Sequence, residues 1–212
     1  MDWSWCTATA TLGNWMLRTD LGRLFLGDFG ASCSATALIH ASKASCMAQC
    51  RPPEQLFKLP LPVTVAFDIW SLGVCSCFLE FGAIPFECKS PDESEATKEV
   101  ARNVCAFYGS AIAKAKELGV EVGTDARGFA GGTKKRTLAE LRHKRKECED
   151  VAVSFVEHLL VWDPTGRPSA EAVAGGEYCN IWRTAAAAAA AARPEAAAAQ
   201  ASCAPAQDCT MA

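Results

Sequence analysis

Asp68-Ile69-Trp70-Ser71-Leu72-Gly73 opens a run that stays apolar as far as Phe81, and this run decides the fold. Asp68 stands where an N-cap would, since a carboxylate there accepts from the unpaired N–H groups of a first turn. A segment apolar on all sides predicts a helix buried on all sides. From Ile69 to Phe86 the chain is apolar enough to be mistaken for a membrane span, but Glu80 lies inside it and Pro85 near its end. A buried helix at the centre of a mainly α domain fits better.

Outward from this helix, Pro52 and Pro53 can open a short helix through Phe57, because proline is tolerated in a first turn, and Pro60 and Pro62 end it. Residues 31–50 are rich in Ser, Ala and Cys without a sustained period, which predicts a surface loop. Before them, Leu24 to Gly27 reads as the second strand of a small hairpin, entered through Asp20-Leu21-Gly22. Beyond the central helix, residues 92–118 carry Val100, Val104, Phe107, Ile112 and Leu118 at helical spacing. Five glycines between Gly119 and Gly132 predict a loop. A basic helix with Leu138, Leu141 and Cys148 on one side follows, then a helix over Val151–Trp162 with Val153, Val156, Leu159 and Leu160 facing a core. Asp163-Pro164 stops it, and Ser169–Ala174 starts a last short helix. After Arg183 the chain turns to alanine interrupted by Pro194 and Pro205, so residues 1–183 read as the domain and 184–212 as a low-complexity tail.

The bulk numbers set bounds. With 212 residues, half of them apolar and 21% charged, a buried core is expected and wholesale disorder is excluded. A net charge of -3 points to neither nucleic acid nor a membrane surface as partner. Several of the 12 cysteines, Cys75, Cys77 and Cys105 among them, lie in apolar stretches, where thiols behave as small hydrophobes. Cys46, Cys50 and His40 lack the spacing of a zinc site. Reduced thiols and an opening Met1-Asp2-Trp3-Ser4-Trp5 without signal-peptide character predict an intracellular protein, cytoplasmic or nuclear.

Four blocks then succeed one another: Gly27-Asp28-Phe29-Gly30, Arg51-Pro52-Pro53-Glu54, Asp68 to Gly73, and Leu159-Leu160-Val161-Trp162-Asp163-Pro164-Thr165-Gly166-Arg167-Pro168. In order and spacing they resemble the second half of a eukaryotic protein kinase domain, over roughly residues 7–182. The resemblance implies a protein-kinase-like large (C-terminal) lobe, mainly α, with a small β-hairpin near its N-terminus. It implies ATP and Mg2+ as cofactors, with Asp28 and Asn14 holding the metal, and Phe29 and Gly30 as structural members of the same block. Glu54 and Arg167 resemble the partners of a buried ion pair, and Asp68 the residue that caps the central helix and bonds the catalytic loop. Asp-Ile-Trp-Ser-Leu-Gly leans to the serine/threonine type; the Arg-Pro-Pro-Glu and Leu-Val-Trp-Asp-Pro wording leans to the cyclin-dependent and mitogen-activated group. The implied reaction is transfer of the ATP γ-phosphate to a protein substrate.

The pattern breaks at its start. Counting back from Asn14, the family's His-Arg-Asp triplet falls on Thr7-Ala8-Thr9, so Thr9 occupies the base position, and Thr11 stands where a phosphate-contacting lysine is usual. A hydroxyl cannot take the substrate's proton as a carboxylate does, a change worth about 10²–10⁴-fold. No glycine-rich loop or strand lysine precedes this point, so the small lobe reads as missing. Two expectations follow: a truncated kinase domain, inactive as given, or a non-catalytic pseudokinase-type module that docks a protein partner. Ser32, Ser34, Thr36, Ser42 and Ser45 are phosphorylation candidates, but Ala8 replaces the arginine that would meet a phosphate. The basic run within residues 134–146 reads as a solvated face rather than an import signal. His40 and His158 have no role assigned.

Overall fold

The computed structural model describes residues 5–6, 11–18, 23–30, 32–34, 46–121, 137, 138, 140 and 150–187. Thr9, His40, nearly all of the basic run and residues 188–212 lie outside them. Two compact units occur, residues 1–170 and 171–212.

In the first unit, β2 (Trp15–Arg18) and β3 (Arg23–Leu26) form the expected hairpin, antiparallel with Trp15 opposite Leu26 and Arg18 opposite Arg23. A second two-stranded ladder joins β1 (Trp5–Cys6) to β4 (Cys33–Ser34). Among the described residues the remaining regular structure is helical.

The central helix is α2 (Ala66–Phe81), with α1 (Pro53–Leu56) before it. Phe67, Trp70, Val74, Cys77 and Phe81 of α2 are buried, whereas Phe78 (41%) and Leu79 (63%) near its end are exposed, which corrects the expectation of a helix buried on all sides. The helix begins before Asp68, which corrects the expected N-cap: Val65 occupies the cap and Asp68 lies in the first turn. An acidic residue suits either place, because the partial positive charge of the helix end extends over the whole first turn. Gly82 ends the helix in a left-handed conformation (φ 66°), its N–H bonded to the Phe78 carbonyl at 2.8 Å. No helix among the described residues is long and apolar enough to cross a membrane.

The segment 92–118 is two helices, α3 (Glu93–Tyr108) and α4 (Ala111–Glu117), rather than one. Gly109 (φ 91°) breaks the run, and in α4 Ala111 and Ala115 are buried while Ile112 is exposed. Asp92 caps α3 by accepting from the Glu95 N–H at 2.9 Å. Ala96, Val100 and Val104 form its buried stripe at the i, i+4 spacing. A further helix, α5 (Asp150–Leu159), packs on α2 with Ala152, Val156 and Leu159 buried; Val153 is half-buried. The expected surface loop over 31–50 is also corrected at its end, where Cys46, Ala48 and Cys50 are buried and the turn Ala48–Cys50 packs on α2 and α3.

An aromatic cluster fills the space around α2. Trp70 stacks on Phe86 with centroids 5.4 Å apart, and Phe57 on Trp162 at 5.3 Å. Tyr108 lies between these pairs and donates its hydroxyl to the Leu160 carbonyl. Burial pushes its phenol above the usual range.

The helix α6 (Ala170–Gly175) is followed by a further helix, residues 177–187, so the short helix predicted over Ser169–Ala174 is not the last. Within the second unit Arg183 bonds the Ala174 carbonyl and the Asn180 side chain, and Tyr178 meets Trp182 edge-on.

Candidate functional site

The hairpin carries the first group of residues. A 3-10 turn, Leu12–Asn14, closes with the Asn14 N–H on the Thr11 carbonyl at 3.0 Å and leads into β2. The strand register then sets Asn14 opposite Gly27, whose N–H donates to the Asn14 carbonyl at 2.8 Å. Asn14 and Asp28, fourteen positions apart in the chain, are thereby brought to one end of the ladder. At Gly27 a Cβ would lie 2.5 Å from the end of the Met16 side chain, an exposed and flexible tip that can swing aside. Asp28 has a left-handed backbone (φ 56°), which Asp tolerates better than most residues, and its Oδ1 lies 3.4 Å from the Gly30 N–H.

Asp28 is exposed, Asn14 half-buried and Thr11 buried. Phe29, at 58% exposure, projects from the same turn. A carboxylate and an amide oxygen at one edge are hard donors that fit Mg2+, which keeps several waters and takes few protein ligands. Among the described residues no group of three or more His, Cys, Asp or Glu side chains could hold a metal by itself. A magnesium held here would therefore draw its other oxygens from nucleotide phosphates and water.

The second group lies beneath. Arg167 meets Glu54 through two hydrogen bonds, Nη1 to Oε1 at 2.8 Å and Nη2 to Oε2 at 2.7 Å. Its remaining N–H groups reach the carbonyls of Val161, Ala66 and Trp162, so all five donors are used. The guanidinium also lies over the Trp70 ring, 5.1 Å from its centroid. This single side chain ties α1, the start of α2 and the segment after α5 together. Asp163 holds the turn that delivers it, accepting from the Thr165 N–H at 2.8 Å.

Two residues make contacts that went unread in the sequence. Arg51 donates to the Cys46 carbonyl and Thr97 Oγ1, each at 2.8 Å, and pairs with Glu93 at 2.5 Å, anchoring the Arg-Pro-Pro-Glu block to α3. Ser71, one of two buried hydroxyls in a largely apolar helix, bonds the Cys50 carbonyl at 3.1 Å. Its polarity inside the apolar run was the signal. Phe29, Asn14 and Asp28 thus gather at the hairpin; Glu54, Arg167 and the first turn of α2 gather in the core; Thr9 lies outside the described residues.

A family model described as the protein kinase domain matches residues 12–179. The chain belongs to the protein kinase domain family. The matched span of this kinase domain includes Asn14, Asp28, Glu54, Asp68 and Arg167 and begins after Thr9. No curated protein matches the chain. The family uses ATP and Mg2+ and acts on protein substrates.

Proposed function

We propose that residues 12–179 are the large lobe of a serine/threonine-type kinase domain, leaning to the cyclin-dependent and mitogen-activated group, within a domain spanning 1–183 and followed by the 184–212 tail. The observation that carries this reading is the hairpin register that sets Asn14 across from Gly27, next to Asp28. In this reading Asp28 and Asn14 offer oxygens to the magnesium that accompanies ATP, and that metal supplies charge neutralisation to the phosphates. The Glu54–Arg167 pair and Asp68 position the elements beneath.

Residues 1–212 contain Thr9 where the family has its base and no glycine-rich loop or strand lysine. Phosphoryl transfer is mostly positioning and charge neutralisation, so this chain alone does not catalyse it at the family's rate. A reducing cytoplasmic or nuclear setting belongs to the same reading, since Cys75, Cys77 and Cys105 lie in apolar stretches where thiols behave as small hydrophobes.

A second reading, a non-catalytic module that docks a protein partner, has its own support. Met16, Leu17, Leu24 and Phe25 of the hairpin and Phe29 beside it are all exposed, between 41% and 62%. By register Met16 pairs with Phe25 and Leu17 with Leu24, an exposed apolar pair on each face of the hairpin, and clustered exposed apolar residues mark an interaction site. Titrating a fluorescent ATP analogue with and without Mg2+ tests the choice. Magnesium-dependent binding supports the first reading; no binding, with a protein captured through the hairpin, supports the second.

A further inference from the structure

Three buried thiols crowd one flank of α2: Cys46 (8% exposed), Cys50 and Cys75 (2% each). Ser71 shares its hydroxyl between the Cys50 carbonyl at 3.1 Å and the Phe67 carbonyl at 3.3 Å, which pins residue 50 against α2. Cys75 stands four residues on from Ser71, on the same helix face one turn later. The Cys50 and Cys75 side chains lie against each other within hydrogen-bonding reach. Cys77, two residues on, belongs to a different face.

We propose that Cys50 and Cys75 are a redox pair that closes to a disulfide when the protein meets hydrogen peroxide, fastening the turn before the Arg-Pro-Pro-Glu block covalently to α2.

Cys75, which has the Cys50 thiol and the Trp15 indole beside it to draw its thiol below the usual range, makes the first attack. Cys50 is held above its usual range by its contact with Cys75 and by burial, and keeps its proton. Cys46 is pushed up to about 12 by burial and is the poorer competitor. Cys75 gives up its proton and attacks one peroxide oxygen; the O–O bond breaks, and the departing hydroxide takes that proton as water. The resulting sulfenic acid is attacked by Cys50, the S–O bond breaks, and the leaving hydroxide takes the Cys50 proton as a second water. Two thiols lose two electrons and two protons, and one peroxide becomes two waters. Access needs only local opening of the short turn Ala48–Cys50, since hydrogen peroxide is close to water in size. This inference does not depend on nucleotide binding.

The test is graded hydrogen peroxide on the reduced full chain, followed by alkylation of remaining thiols and mass-spectrometric mapping. A Cys50–Cys75 linked peptide should dominate the intramolecular products, disappear with dithiothreitol, persist in Cys77→Ser and be absent from Cys75→Ser. Linkage mainly through Cys46, alkylation of Cys50 and Cys75 after Cys33, Cys88 and Cys179 have been oxidised, or an equal yield from the urea-unfolded chain would each overturn it. Because the wild-type map alone decides the pairing, a variant that fails to fold does not.

Discussion

Glu54 and Arg167, 113 residues apart in sequence, form a two-pronged ion pair whose side chains are 3% and 0% exposed. Taking both charges out of water costs so much that the pair adds little net stability over a well-packed apolar pair. Its geometric value is that one side chain fixes three segments. Removing either partner leaves the other charged and buried, so Arg167→Ala or Glu54→Ala should each cost about 3–5 kcal/mol in urea unfolding. Arg167→Lys should also destabilise, because an ammonium cannot supply the five-donor fork. A joint replacement, Glu54→Leu with Arg167→Met, should cost clearly less than the sum of the singles. Additive losses would show that the two residues do not act as a unit.

Gly73 faces α5 at a distance no side chain tolerates: a Cβ there would lie 2.8 Å from Leu160 Cδ2 and 2.9 Å from Leu159 Cβ. Alanine in a helix interior gains about 1 kcal/mol over glycine. Overpacking a core costs about 1–3 kcal/mol, and here the obstacle includes a Cβ that cannot swing away. The clash wins, and Gly73→Ala should lower the urea midpoint. A raised midpoint would mean that α2 and α5 separate without cost.

Glu99 gathers the backbone N–H groups of Lys89 (2.7 Å) and Ser90 (3.3 Å), which hold its carboxyl below the usual 4.5. The folded chain therefore binds fewer protons here than the unfolded one. The contribution is fully present above 4.5 and fades as pH falls through that value toward the folded one. Glu99→Gln should melt below wild type at neutral pH, with the two curves converging on acidification. A gap that stays constant with pH would assign the loss to packing instead of charge.

The sequence was most legible where one residue type has one use. The hairpin followed from Asp20-Leu21-Gly22 before an apolar quartet, and α1 from Pro53, which a first turn tolerates, with Pro52 extended as its N-cap. It was least legible where one residue type serves two ends. Asp68 suits an N-cap and a first turn alike, so the start of α2 was placed late. Val100, Val104 and Ile112 keep helical spacing straight through Gly109-Ser110, which hid the break between α3 and α4. Cys46 and Cys50 pass for polar loop residues by composition, and a three-residue turn is too short to show a period. At the candidate site, the Asn14–Asp28 separation was visible from spacing, whereas the Arg51 contacts to Glu93 and Thr97 join segments that no local pattern connects.

Asp28 allows a clean test of the magnesium reading, because its backbone and its side chain can be separated. Its φ of 56° is one that Asn also adopts readily, so Asp28→Asn removes the charge and leaves the turn. The residue is exposed, and melting should be unchanged within about 0.5 kcal/mol. If Asp28 holds the metal, magnesium-dependent affinity for ATP should fall at least about tenfold, equivalent to about 1.4 kcal/mol. Asn14→Ala should weaken it less, since a neutral amide is a poorer partner for a hard cation than a carboxylate. Calorimetric titration with and without Mg2+ reads both variants. Binding that ignores magnesium in wild type, or survives unchanged in Asp28→Asn, would detach the hairpin from nucleotide chemistry and leave its exposed Phe29 and Leu24 as a docking face.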